Sequence, residues 1–313
     1  MAIGRRLGML DDTRETITGA ELAEIEDDEL AERVKTIGVY ARTNPEQKLR
    51  IVDAWRKQGA VSAMTGDGVN DAPALRKADI GVAMGITGTD VSKEASDMIL
   101  ADDDFSTIVH AVEEGRRIYA NIRRFVRYLL TTNSAEIMVM VAAPFLGLPL
   151  PLLAIQILWI NLVTDGAPAL SLGVEPAHPR AMRQPPRDPK ASILGDGLWQ
   201  HALWVGLLMT VITLAVQSWS YHGGASEETW RTMVFTVLAF MQLSHALVVR
   251  SERESVFTLG FGTNRVLLVV LLVSAAVQLA LVYVPFLQPI FETTALSATE
   301  LLVVALVTPI PFI

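Results

Sequence analysis

The sequence predicts two folds in succession, a parallel α/β domain and then an all-α transmembrane domain of six helices. Up to about residue 125 charged and apolar residues are mixed, whereas long apolar runs recur after it. The composition is 51% hydrophobic over 313 residues, which is high for a chain without a membrane part. Short β-type runs alternate with helical stretches in the first part, which indicates βαβ units and a parallel sheet covered by helices.

The strands and helices of the first part follow from local signals. Residues 37–41 alternate as a strand, and the apolar runs at 61–64, 80–84 and 97–100 predict three more strands. A short helix is expected at 89–95.

The best-defined helix of this part is expected from Pro45 to about Lys57. Asn44 suits the cap position, proline suits the first turn, and Gly59 suits the stop. The acidic stretch 21–32 is expected to be a solvated helix and loop without a function of its own.

The composition excludes several classes of function. The chain has no cysteine, which excludes a disulfide framework and a thiolate metal site. A net charge of −8, with no basic face interleaved with aromatic residues, argues against a nucleic-acid partner. The first ten residues are too short and too polar for a signal peptide.

The run from Ala63 to Met84 carries the chemistry of the first part. Its strand ends at Thr65-Gly66-Asp67-Gly68, where two glycines beside one carboxylate leave room for a phosphate or a metal. Asn70 and Asp71 open a short helix, whose N-terminal amides favour anions. Carboxylates at the carboxyl end of a parallel strand suit Mg²⁺. A plain turn is the alternative for an isolated Gly-Asp-Gly.

Two further charged features can be interpreted in more than one way. Lys48 lies in the first turn of its helix, where a cation is unfavourable, so it is either a solvated lysine or a partner for a phosphoryl oxygen. Asp102, Asp103 and Asp104 could suggest a metal site, but we expect them to cap the next helix.

That next helix is expected to run from Phe105 without a stop into the apolar run at Tyr128. A helix that continues from a soluble domain into a membrane is a mechanical connector, so residues 105–125 are predicted to form a stalk.

Six apolar segments are long enough to span a membrane. They lie at about 126–147, 151–172, 197–217, 231–249, 265–285 and 297–313. Basic residues precede the first span and occupy the second and fourth connections, whereas the first connection is uncharged. The positive-inside rule therefore predicts that both termini are cytoplasmic.

Two of these spans carry groups that hydrocarbon disfavours. Asn133 and Glu136 share a face of the first span, as do Asn161, Thr164 and Asp165 in the second. Ionisable residues in a span usually mark an ion path, and oxygen donors suit a hard cation such as Ca²⁺. Polar contacts between helices could explain the asparagines but explain the two acids poorly.

Gly166 and Pro168 are expected to break the second helix just after Asp165, which would free carbonyl groups beside a polar cavity.

These stretches resemble a known family. The run Ala63 to Met84 is similar, nearly letter for letter, to the hinge segment of the P-type cation-transporting ATPases, within the haloacid-dehalogenase-like phosphotransferase group. TTNSAEI and LWINLVTDGAPA look like the ion-binding spans of the calcium-pump branch, and PPRDPK resembles the connection that follows them. The resemblance covers essentially the whole chain, but only the C-terminal third or so of a typical member.

The resemblance implies the domains and the roles of the residues. Residues 1–104 would be the C-terminal part of a cytoplasmic, Rossmann-like phosphorylation domain, and 126–313 the transmembrane domain. The implied catalytic residues are Lys48, Thr65, Gly66, Asp67, Asn70 and Asp71. Among them Lys48 would contact phosphate, and Asp67 with Asp71 would hold Mg²⁺. The implied ligands of the transported cation are Asn133, Glu136, Asn161, Thr164 and Asp165.

One position departs from the family pattern. Gln242 stands where some calcium pumps have a glutamate ligand, so its role is doubtful and a single cation per cycle is expected. His245, one turn further on, is expected to be a packed histidine and not a ligand.

Several family segments are absent, namely the DKTGT segment with the phosphorylated aspartate, the TGES-type loop, the nucleotide-binding domain and the first four spans. Residues 3–10 look like the second half of a helix, and the chain ends inside its last span, so we expect both ends to be cut.

We therefore expect the C-terminal part of an ATP-driven Ca²⁺ pump of the plasma membrane, in contact with lipid. It would use Mg²⁺, ATP through the missing domain, and an aspartyl-phosphate, and it would be inactive alone. The alternatives are a pump for H⁺, Na⁺/K⁺ or Mn²⁺, a non-catalytic membrane protein that associates with a separate pump subunit, and a phosphatase-like domain fused to a passive channel.

Overall fold

The computed structural model describes residues 5–6, 8–10, 14–188, 190–251 and 256–310. The chain divides into two compact units, residues 1–112 and 113–313. The helical stretch expected at 3–10 lies partly outside the described residues, as do the last three residues of the sixth expected span.

The first unit is an α/β structure with two parallel sheets. One sheet pairs β1 with β2, and the other has the order β3-β4-β5. Its elements are β1 (Glu15–Thr18), α1 (Gly19–Glu24), α2 (Asp27–Arg33), β2 (Ile37–Ala41), α3 (Pro45–Lys57), β3 (Ala63–Gly66), α4 (Ala72–Lys77), β4 (Ile80–Met84), α5 (Asp90–Glu94) and β5 (Met98–Leu100). The predicted parallel pairing is confirmed, although β3 begins two residues later than expected and β1 was not predicted.

Local capping signals fix the ends of α3. The Asn44 side chain accepts a hydrogen bond from the Gln47 N–H, and the Gln47 side chain accepts one from the Asn44 N–H. Gly59 follows the helix with a φ of +75°, a conformation that glycine adopts without strain. Both predicted ends of this helix are confirmed.

The core of the first unit lies between β1, β2 and the helices α1 to α3. Its buried side chains include those of Leu22, Leu30, Val34 and Ile37, and Trp55 of α3 packs against them. The apolar side of α3 therefore packs against the sheet of β1 and β2.

The second unit is helical. Its elements are α6 (Phe105–Phe145), α7 (Ala154–Leu172), α8 (Leu198–His222), α9 (Glu227–Val248), α10 (Val256–Leu259), α11 (Arg265–Tyr283), α12 (Gln288–Phe291) and α13 (Ala298–Val307). Helix α6 begins in the first unit and is continuous to Phe145, so the predicted helix without a stop is confirmed. The Ser297–Glu300 capping box opens α13.

Four helices of the described residues, namely α7, α8, α9 and α11, are long and apolar enough to cross a membrane. The two other predicted spans coincide with the second half of α6, which carries Asn133 and Glu136, and with α13, which is short at ten residues. For these two spans the prediction stays a prediction.

Helix α9 lies at the centre of this unit. The side chains of Met233, Phe235, Leu238 and Met241 are fully buried, and α9 packs against α7, α8, α11 and α13. Gln242 and His245, two polar residues of α9, are therefore enclosed by other helices.

The break predicted in α7 is wrong. The helix continues to Leu172, and the irregularity is a π-helical segment, Ile160–Asp165, that precedes Pro168. A proline crowds the carbonyl group four residues before it, here that of Thr164, and a wider turn relieves this crowding. The Thr164 carbonyl accepts a hydrogen bond from the Tyr128 hydroxyl at 3.0 Å instead.

Candidate functional site

The loop between β3 and α4, residues 65–71, is the predicted phosphate site and is named the hinge loop below. Asp71 is buried, and its carboxylate accepts hydrogen bonds from Lys48 Nζ at 2.5 Å and from the Gly68 N–H at 3.4 Å. Asp71 is therefore occupied in holding the loop, and Lys48 is its ion-pair partner.

Gly66 is required for this arrangement. A Cβ atom at Gly66 would lie 2.4 Å from the Asp71 Cβ, far inside van der Waals contact, whereas a Cβ at Gly68 would meet nothing closer than 3.9 Å. Thr65, the residue before Gly66, lies in β3 and pairs with Val82 of β4. The sequence predicted that both glycines leave room for a phosphate or a metal. In the structure the group that approaches Gly66 closely is the Asp71 side chain.

Asp67 presents an open carboxylate. Its main-chain oxygen accepts hydrogen bonds from the Thr89 N–H at 2.8 Å and from Ser92 Oγ at 3.1 Å, so its position is fixed. Its side chain is exposed, and no described residue donates a hydrogen bond to the carboxylate. Asn70, beside it in the loop, is also exposed.

The hinge loop fits Mg²⁺ in part. No group of three His, Cys, Asp or Glu side chains converges as a metal site among the described residues. Mg²⁺ in phosphoryl-transfer sites is commonly held by one or two carboxylates together with water and phosphate oxygens. The exposed Asp67 carboxylate meets that requirement, whereas Asp71 is already paired with Lys48.

The three aspartates before α6 divide between two tasks. Asp104 accepts a hydrogen bond from the Ser106 N–H at 2.8 Å, so the cap prediction is confirmed for Asp104. Asp102 accepts its hydrogen bond from the Thr107 hydroxyl at 2.7 Å, a bond between side chains at the start of α6. For Asp103 the cap prediction is wrong, because Asp103 binds a different loop.

The Asp103 carboxylate accepts hydrogen bonds from the N–H groups of Gly85, Ile86 and Thr87 at 2.6, 3.0 and 2.8 Å. Its own φ is +54°, the left-handed region. These bonds, first that from Ile86, lower the pKa of Asp103 to about 2. Asp103 therefore fixes the loop after β4 at the start of α6.

The polar residues of the spans come together around Glu136. Its Oε1 accepts a hydrogen bond from Gln242 Nε2 at 2.8 Å, and its Oε2 accepts one from Asn161 Nδ2 at 3.0 Å. Glu136 is 5% exposed and Gln242 is fully buried, whereas Asn161 is exposed. Helices α6, α7 and α9 therefore meet at one carboxylate.

Asp165 lies four residues after Asn161 and so on the same face of α7. Asp165 is fully buried, and its Oδ1 accepts a hydrogen bond from the Tyr128 hydroxyl at 3.3 Å. The other carboxylate oxygen, and the Gln242 Oε1, are buried with no hydrogen-bond partner in the described part of the chain. Glu136, Asn161, Asp165 and Gln242 are called the membrane cluster below.

Two predicted ligands are not joined to this cluster by hydrogen bonds. The Asn133 amide donates to the Leu129 carbonyl of its own helix at 2.8 Å, and the Thr164 hydroxyl donates to the Ile160 carbonyl at 2.9 Å. Gln242, which the sequence left doubtful, is bonded directly to Glu136.

Tyr128 is a site residue that sequence reasoning missed, because it was counted with the apolar run. It is fully buried, and its hydroxyl donates to the Thr164 carbonyl and to Asp165. A tyrosine at the edge of a span needs a partner for its hydroxyl, and this need was the available signal.

His245 is packed, in agreement with the prediction. It is fully buried, and its ring stacks against those of Tyr128 and His201 at centroid distances of 6.1 and 5.6 Å.

Comparison with known proteins identifies the family. The family model described as "Cation transporting ATPase, C-terminus" matches residues 149–313, more than half of the chain.

Among curated proteins the chain is 45% identical over 309 residues to "Calcium-transporting ATPase 1" of Yarrowia lipolytica, covering 98% of the chain and 33% of that protein. It is 46% identical to "Calcium-transporting ATPase type 2C member 2" of Homo sapiens (96% and 32%), and 44% identical to "Calcium-transporting ATPase" of Bacillus subtilis (99% and 35%). The chain thus spans about a third of the length of these relatives. It belongs to the cation-transporting ATPase family, as an integral membrane protein that corresponds to the C-terminal part.

Proposed function

We propose that this chain is the C-terminal part of an ATP-driven P-type pump that exports Ca²⁺ across the plasma membrane through an aspartyl-phosphate intermediate. The observation that carries the proposal is the membrane cluster, in which the buried Glu136 carboxylate accepts hydrogen bonds from two amides across three helices and a second buried carboxylate, Asp165, lies four residues after one of those amides. The names of the relatives, all calcium-transporting ATPases, support the choice of ion.

The chemistry of the cluster suits one divalent cation. Buried oxygen atoms without hydrogen bonds cost about 1–3 kcal/mol each, and a bound cation would satisfy those of Asp165 and Gln242. Glu136 and Asp165 carry two negative charges, which match one Ca²⁺. Since Gln242 adds an oxygen without charge, we propose one cation per cycle.

The cluster is open on one side, because Asn161 is exposed. We propose that the upstream part of the complete pump covers this side and completes the site. Asn133 and Thr164 would join the ligands only if their side chains rotate away from their own helix carbonyls.

The hinge loop would act on the phosphoryl group. We propose that the small parallel sheet is part of a haloacid-dehalogenase-like domain, completed upstream by the phosphorylated aspartate and the ATP-binding domain. When bound, Mg²⁺ supplies positive charge that offsets the charge of the transferring phosphoryl group. Asp67 is the open carboxylate for it, while Lys48 and Asp71 fix the loop and Thr65, Gly66 and Asn70 shape it.

A continuous route connects the hinge loop with the start of α6. The Asp67 main-chain oxygen is held by Thr89 and Ser92, and the loop at Gly85 to Thr87 is held by Asp103. Helix α6, which begins two residues after Asp103, carries Glu136. We propose that the state of the phosphoryl group reaches Glu136 along this helix. Both termini of the chain would lie on the cytoplasmic side.

The test uses the complete pump in sealed vesicles, with Glu136→Gln and Asp165→Asn made singly. Each change removes one charge, so the Ca²⁺ concentration that half-saturates phosphorylation by ATP should rise by about tenfold or more, equivalent to at least ~1.4 kcal/mol.

Glu300→Gln is the matched control, because the same chemical change in a capping box is tolerated. If Ca²⁺-dependent phosphorylation is the same in both cluster variants as in the unmodified pump, the proposed cation site is wrong. The isolated chain should form no phosphoenzyme from ATP.

A further inference from the structure

A second buried ionic group lies between the helices that hold the membrane cluster. Glu175, three residues after the end of α7, pairs with Arg250, two residues after the end of α9. Arg250 Nε lies 3.1 Å from both carboxylate oxygens of Glu175, and Nη2 lies 2.8 Å from Oε1. Arg250 is 1% exposed and Glu175 is 5% exposed.

Glu175 and Arg250 also form hydrogen bonds with other residues. Asn264, at the start of α11, donates one hydrogen bond to Glu175 Oε2 at 2.7 Å and another to the Ser171 carbonyl at 3.1 Å. Arg250 also donates to the Gly260 carbonyl at 3.1 Å. The ends of α7, α9 and α11 are thus held at one carboxylate.

The main chain at the same residue is bound to α6. Asn121, which is 2% exposed, donates from its side-chain amide to the carbonyl groups of Gly173 and Glu175, both at 2.9 Å. Arg117 donates a longer hydrogen bond, 3.4 Å, to the Glu175 carbonyl. The group formed by Asn121, Glu175, Arg250 and Asn264 is called the Glu175 junction below.

The Glu175 junction joins the same helices as the membrane cluster, at a different position along their length. Both groups join α6, α7 and α9. Along α6, Asn121 precedes Glu136 by 15 residues, which is about 22 Å of helix. On α9, Arg250 follows Gln242 by 8 residues, which is about 12 Å. The three helices are therefore tied at the cluster and again nearer to the N-terminal end of α6.

Stability alone is a poor explanation for such a group. A buried ion pair adds little net stability compared with apolar residues of the same volume, because both charges lose their hydration. What the ion pair does provide is a single fixed arrangement of the chain segments that carry it, since the Glu175 carboxylate accepts four hydrogen bonds from fixed directions.

We propose that the Glu175 junction is the positioning element that makes α6, α7 and α9 move together, so that cation binding at the membrane cluster controls phosphorylation. This role deepens the proposed function and rests on it. Asn121, Glu175, Arg250 and Asn264 are positioning residues that act through the helices and do not touch the cation. From the sequence, Arg250 was only one of the basic residues of the fourth connection.

The test compares the complete pump, reconstituted in vesicles, with its Asn121→Ala variant. This change removes the two 2.9 Å hydrogen bonds that Asn121 of α6 donates to Gly173 and Glu175, and it leaves the ion pair in place. Cations moved per ATP hydrolysed should fall by about fivefold or more, the usual lower range of coupling between sites, while the maximal level of phosphoenzyme stays unchanged.

Gln217→Ala is the matched control. Gln217 is also a fully buried amide that donates to a main-chain carbonyl of another segment, that of Pro149 at 2.7 Å, but it lies outside the junction. It should leave the ratio of transport to hydrolysis unchanged.

A second variant tests the ion pair itself. Glu175→Gln alone leaves Arg250 as a buried unpaired charge and can fail to fold, so the double variant Glu175→Gln/Arg250→Gln removes both charges. The double variant should lower the number of cations moved per ATP hydrolysed, as Asn121→Ala does. A normal ratio in both junction variants, or an equal loss in Gln217→Ala, would overturn the inference. Absence of Ca²⁺-dependent phosphorylation in the unmodified pump would instead remove the proposed function beneath it.

Discussion

In the hinge loop the Asp67 carboxylate is exposed and receives no hydrogen bond from the described residues, whereas in the membrane cluster Glu136 is 5% exposed and accepts two amide hydrogen bonds. The difference follows from the two surroundings. An exposed carboxylate is stabilised by water until a ligand arrives, but a buried one must be stabilised by the protein. The hinge loop therefore needs a precise backbone, and the membrane cluster needs precise side chains.

The comparison leads to a first prediction, which concerns the backbone of the hinge loop. Gly66→Ala places a Cβ 2.4 Å from the Asp71 Cβ, so either the loop moves or the Lys48–Asp71 pair breaks. Overpacking of this kind costs about 1–3 kcal/mol, and the displaced loop should also lower phosphorylation by ATP sharply. Thermal unfolding and phosphoenzyme formation of the complete pump measure the two effects.

Gly68→Ala is its matched control. Gly68 has a φ of −111°, which alanine adopts, and its added Cβ would have ordinary contacts only. If Gly68→Ala impairs the pump as much as Gly66→Ala does, the loop tolerates no side chain for a reason other than the contact with Asp71.

A second prediction concerns a side chain that supports the membrane cluster. Tyr128→Phe removes the hydroxyl that donates to Asp165 and to the Thr164 carbonyl, so the carboxylate and the π-helical segment lose their support. A buried acceptor that loses its donor costs about 1–3 kcal/mol. Since the carboxylate is then less well placed, we expect the Ca²⁺ concentration for half-maximal phosphorylation to rise about fivefold or more.

The same helix offers a control for this change. The Tyr119 hydroxyl is buried without a hydrogen-bond partner in the described part of the chain, so Tyr119→Phe removes no bond. It should leave cation affinity unchanged and should not lower the thermal stability. Equal effects of the two substitutions would show that the Tyr128 hydroxyl has no special part in the cluster.

The same contrast explains how much could be predicted from the sequence. The caps of α3, the strands β2 and β4 and the loop at Asp67 were predicted because their signals lie within a few residues. Glu136 and Asp165 were found because an acid is conspicuous in an apolar run.

What was missed depends on partners far away in the chain. Glu175 and Arg250 are 75 residues apart, and neither is unusual in its own loop. Gly166 and Pro168 indicated an irregularity in α7, but the partner of the Thr164 carbonyl within the π-helical segment is Tyr128, 36 residues earlier. Long-range pairing, which residue order alone does not give, decided each of these features.

The smallest expected effect concerns Asp103, which is half-buried and accepts hydrogen bonds from the main chain. Its pKa is lowered from 3.8 to about 2 by these bonds, so the folded protein keeps the carboxyl ionised at a pH where the unfolded chain has protonated it. The stabilisation is present above about pH 4 and is lost as the pH falls towards 2.

Asp103→Asn, which cannot ionise, should unfold at a lower temperature than the unmodified pump at pH 7. The difference in unfolding temperature between the two proteins should shrink as the pH is lowered from about 4 towards 2. Thermal unfolding of both proteins, followed in parallel at each pH, measures it. A difference that stays constant down to pH 2 would mean that the shape of the side chain, and not its charge, holds the loop at Gly85 to Thr87.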